Sequence, residues 1–451
     1  MAPPFSPETL AASLAELIPS YPDAALCVAL SGGVDSVALL HAAHALVSGE
    51  PSLRLRALHV DHGLQQQSKD WSAHCRMQCD NLGVTLGVLD LELDVPKGAS
   101  VEAEARRARY EVLAAALEPG ECLLTAHHAD DQLETVLLQL FRGAGVAGLA
   151  AMPARAALGP GFHLRPLLSV ERSQLESYAA ASGLNWVEDP MNRESRYDRS
   201  YLRHEVLPAV RARWPALART VGRSAGHFAT AQRLLEALAA ADGASLLDAQ
   251  GRLETAGLAA LPRDRQLNLL RWWIVRQGLG VPSTARLESI LRDAVPARDD
   301  AQPVVTWPTG EVRRHRGRLY AMQPLGPLPP SGWKREIRPG GTIELPPGLG
   351  NLSLEPVTGR GISPAHAPGP WTVTFRAGNG SAERRGRDGW GDLGNLFREF
   401  GVVPWMRGRL PLVSCENQLL AVADLWVSRP ARAASREAGL EPLRLGGPPV
   451  S

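Results

Sequence analysis

Lysine is nearly absent from this chain. Of 48 basic residues only Lys69, Lys97 and Lys334 are lysines. With abundant alanine, glycine and proline, this bias reflects GC-rich coding sequence more than a basic ligand. The net charge is +1, so the molecule as a whole is no polycation. Any nucleic-acid surface must come from local clustering of arginines. Cysteine is scarce: five residues, an odd number, with no CxxC pair. That excludes a disulfide framework. Cys75 and Cys79 lie four apart, as a metal pair on one helix face or as plain thiols. No apolar run approaches the ~20 residues that span a bilayer. The first 21 residues carry neither a basic residue nor a long apolar stretch, which excludes a signal peptide and makes the cytoplasm the expected compartment. No Gly-x-x-x-x-Gly-Lys-[Ser/Thr] occurs, so there is no Walker A loop. No internal repeat is visible.

What is present is a globular composition, 45% apolar and 21% charged over 451 residues. That length allows about three domains. Leu10, Leu14 and Leu17 recur at helical spacing. Short apolar runs at 25–30, 53–60, 84–91 and 122–125 then alternate with helical patterns at 37–46, 71–82, 101–117 and 130–141. Strands alternating with helices predict a doubly wound parallel sheet. Polar residues gather at the strand C-terminal ends, where such sheets bind ligands. The expected organisation is an α/β domain over 1–214, followed by a mainly helical domain over 215–325 ending in a hairpin. A Pro/Gly-rich connector covers 326–370, a small mixed α/β domain 371–430, and a loose tail 431–451.

Ser31-Gly32-Gly33-Val34-Asp35-Ser36 joins the first strand to its helix. Paired glycines let backbone N–H groups approach phosphate oxygens, and the helix N-terminus adds positive potential. Asp35 would repel bare phosphate, so beside it a Mg ion is required. The plainer alternative is a βα turn with a capping Asp or Ser. Gly143-Ala-Gly145-Val-Ala-Gly148 matches GxGxxG, but it follows a predicted helix and not a strand, which removes its dinucleotide-binding context. Arg106 and Arg109 are three apart, on one helix face. They suit a phosphoryl group, or belong to a solvated face. Asp131 and Glu134 share another face beside His127 and His128 at a strand end. They suit a cationic amine or Mg, or else a capped helix with a buried histidine, or a His/Asp metal cluster that Asp61 and His62 would complete.

The Ser31–Ser36 segment resembles the PP-loop of the N-type ATP pyrophosphatases. Further segments resemble the tRNA(Ile)-lysidine synthetase family: Val60-Asp-His-Gly-Leu64; Glu102 to Tyr110; Thr125-Ala-His-His-Ala-Asp-Asp-Gln-Leu-Glu-Thr135; Trp186-Val-Glu-Asp-Pro190; and Arg199-Ser-Tyr-Leu-Arg203. Leu396 to Leu412 is similar to that family's C-terminal domain. The resemblance implies an enzyme that adenylates the wobble cytidine of an isoleucine tRNA with anticodon CAU. Free lysine then displaces AMP. It implies ATP bound by Ser31, Gly32, Gly33, Val34, Asp35, Ser36, Asp61 and His62, with Mg on Asp35. Catalysis would fall to Asp35, Arg106, Arg109, His128, Asp131 and Glu134. Lysine would sit near Asp131, Glu134 and His127.

Two basic clusters are expected to position tRNA phosphates. One contains Arg196, Arg199 and Arg203. The other contains Arg314 and Arg316, with Tyr320 nearby for stacking. Either is alternatively solvated surface. A homodimer is the one protein assembly left open. Rival readings are a 2-thiolating PP-loop enzyme, disfavoured by the absence of CxxC, an amide-forming PP-loop synthetase, and a non-catalytic RNA-binding protein with a relic nucleotide site.

Overall fold

The computed structural model describes residues 4–21, 23–61, 68–91, 101–188, 198–298, 301–376, 393–416 and 418–448. The chain divides into two compact units, 1–235 and 236–451.

The first unit opens with helix α1 (Pro7–Leu17). Ser6 caps it reciprocally with Thr9, and Pro7 occupies the first turn. Its buried Leu10 and Leu14 face the core. Strands β1 (Ala25–Ala29), β2 (Arg54–Asp61), β3 (Thr85–Asp90), β4 (Cys122–Leu124), β5 (Arg155–Leu158) and β6 (Gly161–Leu164) form one sheet of order β3-β2-β1-β4-β6-β5. All pairings are parallel except β5 with β6. The intervening helices are α2 (Val34–Gly49), α3 (Ser68–Leu82), α4 (Val101–Ala116), α5 (Ala129–Phe141), α6 (Val146–Leu149) and α7 (Arg172–Ala181).

Strand alternation explains why both faces are covered. Leu26 and Val28 join the core built with α1, α2, α3 and α7. Cys27, between them, joins Leu113, Leu117, Leu58 and Leu123 on the α4 side. Helix α2 is buried at Val34, Ser36–Leu40, Ala42 and Ala43, apolar nearly all round, as a central helix must be. Leu39 and Leu40 are fully buried; truncating either to alanine costs roughly 2–5 kcal/mol. The chain moves from β1 outward to β3, then returns to β4 on the other side of β1. The crevice above β1 and β4 is therefore the switch point where such sheets bind ligands.

After α7 come α8 (Asp198–Tyr201), a π-helical turn (Leu202–Val206), α9 (Leu207–Arg213) and α10 (Leu217–Gly243), and the unit boundary falls inside α10.

The second unit contains β7 (Leu253–Glu254), α11 (Thr255–Ala260), α12 (Arg263–Arg276), α13 (Thr284–Ser289), β8 (Val304–Trp307), β9 (Gly310–His315) and β10 (Arg318–Met322). The sheet β7-β10-β9-β8 buries Val305, Val312 and Leu319 against Leu269, Trp273, Ile274 and Leu287 of the helices. The expected hairpin is thus three strands. Its second turn has Arg316 and Gly317 at φ 47° and 71°, the paired positive φ of a tight two-residue hairpin loop.

Residues 326–370, expected as a connector, hold β11 (Lys334–Ile337), β12 (Thr342–Glu344) and β13 (Asn351–Thr358). Then follow β14 (Trp371–Thr374), α14 (Leu393–Glu399), β15 (Leu412–Cys415), β16 (Gln418–Val422), β17 (Trp426–Val427) and β18 (Ala438–Leu445). They form antiparallel sheets β11-β14-β15-β16-β17 and β12-β13-β18. The tail expected to be loose is corrected here. Strand β18 pairs with β13 from Ala438↔Thr358 to Leu445↔Asn351 and buries Leu440. Its Gly and Pro content hid a strand whose partner lies far away in sequence. No helix among the described residues is long and apolar enough to cross a membrane.

Candidate active site

The loop after β1 turns on Gly32, whose φ is +84°. A Cβ there would meet Val187 Cγ2 at 3.1 Å and Cys75 Sγ at 3.2 Å, so glycine is required both by conformation and by space. The Val187 N–H donates to the Gly32 carbonyl at 3.0 Å, fastening the bend. Gly33 is the N-cap of α2 without a side-chain cap, leaving the first-turn N–H groups for a ligand. The Ser36 hydroxyl is buried and donates to the Gly33 carbonyl at 3.0 Å, while accepting from Ser31 N–H at 3.2 Å. It shapes the loop. Ser31, exposed and 3.1 Å from Ser36 Oγ, carries the hydroxyl that can turn toward a phosphate. Asp61 ends β2 and accepts from the Ser72 hydroxyl at 3.0 Å. His62 lies outside the described residues.

The second wall starts at the end of β4. His128 is 2% exposed and reaches three carboxylates: Asp35 at 3.7 Å, Asp131 at 3.4 Å and Asp130 at 3.5 Å. Burial disfavours its charge, but Asp130, Asp35 and Asp131 outweigh it and push its pKa up to about 10. His128 therefore acts as a cation bridging the glycine loop to α5. Asp131 caps α5 by accepting from His128 N–H at 3.1 Å. Asp130 accepts from Arg172 N–H at 2.8 Å and pairs with Arg211. Burial alone would raise its pKa; His128, Arg172 and Arg211 hold it well below the usual carboxylate range.

Glu134 is 1% exposed. Arg203 grips both of its oxygens, at 2.7 and 2.9 Å, and reaches Asp131 at 3.2 Å. Arg199 stands 3.6 Å from Glu134 and donates to Thr135 Oγ1 at 3.0 Å. Two arginines read from sequence as a tRNA-facing stripe thus turn inward onto the acids read as a lysine site. Arg203 sits in the π-helical turn, a distortion frequent at functional sites. Arg196 lies outside the described residues.

A cavity of about 310 Å³ opens beside these groups. Its walls include Asp130, Glu134, Glu171 and Glu176 against Arg172, Arg203 and Arg211. Such mixed lining suits a small zwitterion with an extra positive charge. Sequence spacing did not join Glu171, Arg172, Glu176 and Arg211 to this site, because Arg172 and Arg211 meet Asp130 only through the fold.

On α4, Arg107 is spent on Glu104 and Glu111 at 2.7 and 2.6 Å. Arg106 and Arg109 have no ion pair among the described residues and are exposed; Arg106 lies over the Tyr110 ring at 5.3 Å.

The second unit presents its own basic group. Arg313 pairs with Glu311 at 2.6 Å, Arg318 approaches Asp248 at 3.4 Å, and Arg314 donates to the Ala297 carbonyl. Arg316 is exposed at the hairpin tip. Burial and the neighbouring Arg316, Arg376 and Arg398 lower the pKa of Arg407, so four guanidiniums crowd one region. Tyr320 is not an open stacking platform: its ring packs edge-on against Trp405 at 5.2 Å.

The GxGxxG match follows α5 and opens only the one-turn α6, with no strand before it. Among the described residues no group of three or more His, Cys, Asp or Glu side chains is arranged to hold a metal.

Comparison with known proteins gives the family. A PP-loop domain model matches residues 7–210, a TilS substrate binding domain model 253–320, and a TilS substrate C-terminal domain model 371–444. The tRNA(Ile)-lysidine synthase of Alkalilimnicola ehrlichii is 44% identical over 431 residues, 95% of both chains. The chain belongs to the tRNA(Ile)-lysidine synthase family. The synthase of Coxiella burnetii is 40% identical over 96% of both chains, and that of Pseudomonas aeruginosa 42% over 92% of this chain and 91% of its own. Membership brings the family's reaction class: an ATP-dependent ligation that modifies tRNA. The GxGxxG and CxxC-dependent readings fall away with it.

Proposed function

We propose that this enzyme joins free lysine to the wobble cytidine of an isoleucine tRNA bearing the anticodon CAU, in the cytoplasm. ATP first adenylates the cytidine carbonyl oxygen and pyrophosphate leaves. The lysine ε-amine then attacks that carbon, loses a proton, and AMP leaves with the oxygen. The observation that carries this reading is the Gly32–Ser36 bend, set at the switch point with Asp35 tied through His128 to the acids of α5.

Ser31, Gly32, Gly33, Val34 and Ser36 cradle the triphosphate, with Asp61 and His62 toward the nucleoside. Asp35 is the residue for Mg. Its Oδ1 is buried and accepts no hydrogen bond among the described residues, with Arg172 Nε 4.0 Å away. An orphaned carboxylate oxygen beside a phosphate loop suits a hard cation, which usually takes one or two carboxylates and completes its shell with phosphates and water. The ion would neutralise the leaving pyrophosphate. Arg106 and Arg109, unspent and exposed, reach phosphoryl oxygens from α4.

Lysine fits the cavity beside Glu134. The arginines there take its carboxylate, and Asp130, Glu134, Glu171 and Glu176 take its amines. Asp131 and His127 stand on the side facing the nucleotide. His128, Arg199 and Arg203 hold the acids in place. Arg316, Arg376, Arg398 and Arg407 contact the tRNA backbone, which such arginines position without reading sequence.

Mass spectrometry of nucleosides from a tRNA pool treated with protein, ATP and lysine is the test. The expected product is one cytidine carrying a lysine residue. Sulfur incorporation, or no modified cytidine, would refute the assignment.

A further inference from the structure

Behind His127 lies a chain of polar contacts that neither the cofactor loop nor the acid cluster uses. Arg165 Nη2 lies 3.0 Å from His163 Nδ1. His163 Nε2 lies 2.9 Å from Thr125 Oγ1, and Thr125 Oγ1 lies 2.7 Å from His127 Nδ1. Thr125, His163 and Arg165 are 7%, 4% and 8% exposed.

The protons along this chain can be placed by elimination. A guanidinium only donates, so His163 Nδ1 must accept. The proton of neutral His163 then sits on Nε2 and is donated to Thr125. A buried hydroxyl needs an acceptor for its own proton. Among the described residues, the one in reach is His127 Nδ1. His127 is then neutral, with its proton on Nε2. No hydrogen bond among the described residues uses that Nε2, and the ring is half-buried at the end of β4, next to His128.

We propose that Thr125, His163 and Arg165 are positioning residues that fix His127 in its Nε2–H form, so that His127 donates a hydrogen bond to a phosphoryl oxygen of the bound nucleotide. This deepens the ATP-binding reading above and rests on it. A neutral donor keeps its proton throughout the working pH range and brings no charge that water or the acids would compete for. An imidazolium at this place would face Arg165 and Arg106 as well as Asp131. Consistent with this, burial first, and then Arg165 and Arg106, lower His163 to about 3. Burial, opposed by Asp131 and helped by Arg165, Arg106 and His163, lowers His127 to about 3.

The test is long-range proton–nitrogen NMR on the full chain labelled with 15N-histidine, with His127 assigned by loss of its signals in His127→Gln. His127 and His163 should both show the Nε2–H tautomer at neutral pH. Adding Mg and a non-hydrolysable ATP analogue should move the His127 Nε2 signal. Thr125→Val should leave His127 a tautomer mixture and lower kcat at least about tenfold with little change in KM for ATP, the pattern of a lost transition-state donor. His163→Gln, which can still accept from Arg165 and donate to Thr125, should keep the single tautomer, and His163→Leu should not. An Nδ1–H or charged His127 in the unaltered protein overturns the proposal, as does a single Nε2–H form surviving in Thr125→Val. Analogue binding with no movement at Nε2 rejects the donor role. Failure of the analogue to bind at all rejects the ATP-binding reading instead, and the tautomer measurement on the free protein stands apart from it.

Discussion

Replacing Arg203 by methionine isolates the contact that ties the end of this unit to α5. Methionine keeps an apolar stem and removes the guanidinium. Three contacts disappear: two to Glu134, at 2.7 and 2.9 Å, and one to Asp131 at 3.2 Å. Glu134 is 1% exposed and cannot turn to water. The cation remaining within 4 Å among the described residues is Arg199, at 3.6 Å. Breaking a buried pair by removing one partner costs roughly 3–5 kcal/mol. Arg203 keeps 26% of its side chain exposed, so water reaches part of the gap and Arg199 can close in. The expected loss is therefore near the lower end, about 3 kcal/mol, out of a total that is typically 5–15. Adding Glu134→Gln should restore part of it, giving a coupling of about 2 kcal/mol in a double-mutant cycle. Urea unfolding supplies the energies. Because the chain has two units, they come from the transition that coincides with faster hydrogen exchange in 198–213. A loss below about 1 kcal/mol, with only the KM for tRNA raised, would mean that Arg203 serves RNA and not Glu134.

Three further outcomes follow from the site. Asp35→Asn should lower ATP turnover by at least about a hundredfold and cost some stability, because Asp35 is one of the carboxylates that hold the His128 cation; calorimetry should show Mg-ATP binding weakened, and ordinary turnover would remove Asp35 from the mechanism. Gly32→Ala should weaken ATP binding and destabilise the protein by about 1–3 kcal/mol, because its φ of +84° and the 3.1 Å approach of Val187 both oppose a Cβ; an unchanged melting temperature and Kd would contradict the cradle. His163, held neutral in the fold with a pKa of about 3, takes up a proton below about 6.5 only when unfolded. Its stabilisation is therefore full above about pH 6.5 and falls as pH drops toward 3, by up to about 1.4 kcal/mol per unit. His163→Gln should flatten that part of a melting-temperature profile, and an equal slope in both proteins would refute the buried neutral histidine.

The sheet was legible because each parallel strand is a short apolar run followed by a helix-period pattern. The nucleotide loop was legible because its chemistry is local: six consecutive residues carry the bend, the cap and the acid. The hairpin of β5 and β6 was not, being four-residue strands around Gly159-Pro160 in an alanine-rich stretch. The C-terminal strands were hidden for the same reason, since Gly and Pro mark turns without showing which distant strand pairs with which. Spacing placed Asp131 and Glu134 on one face of α5 but said nothing of their partners. Arg203 is 69 residues from Glu134, Arg211 is 81 from Asp130 and His163 is 38 from Thr125. These pairings arise only when the chain returns over the sheet, and they turn a basic stripe into the clamp on an acidic wall.

The most direct test of the central claim is the fate of ATP labelled in its α- and γ-phosphates. Equal amounts of AMP and pyrophosphate, formed only when tRNA and lysine are both present and lost in Asp35→Asn, are the predicted result. Formation of ADP and phosphate, or AMP release without RNA, would contradict the account.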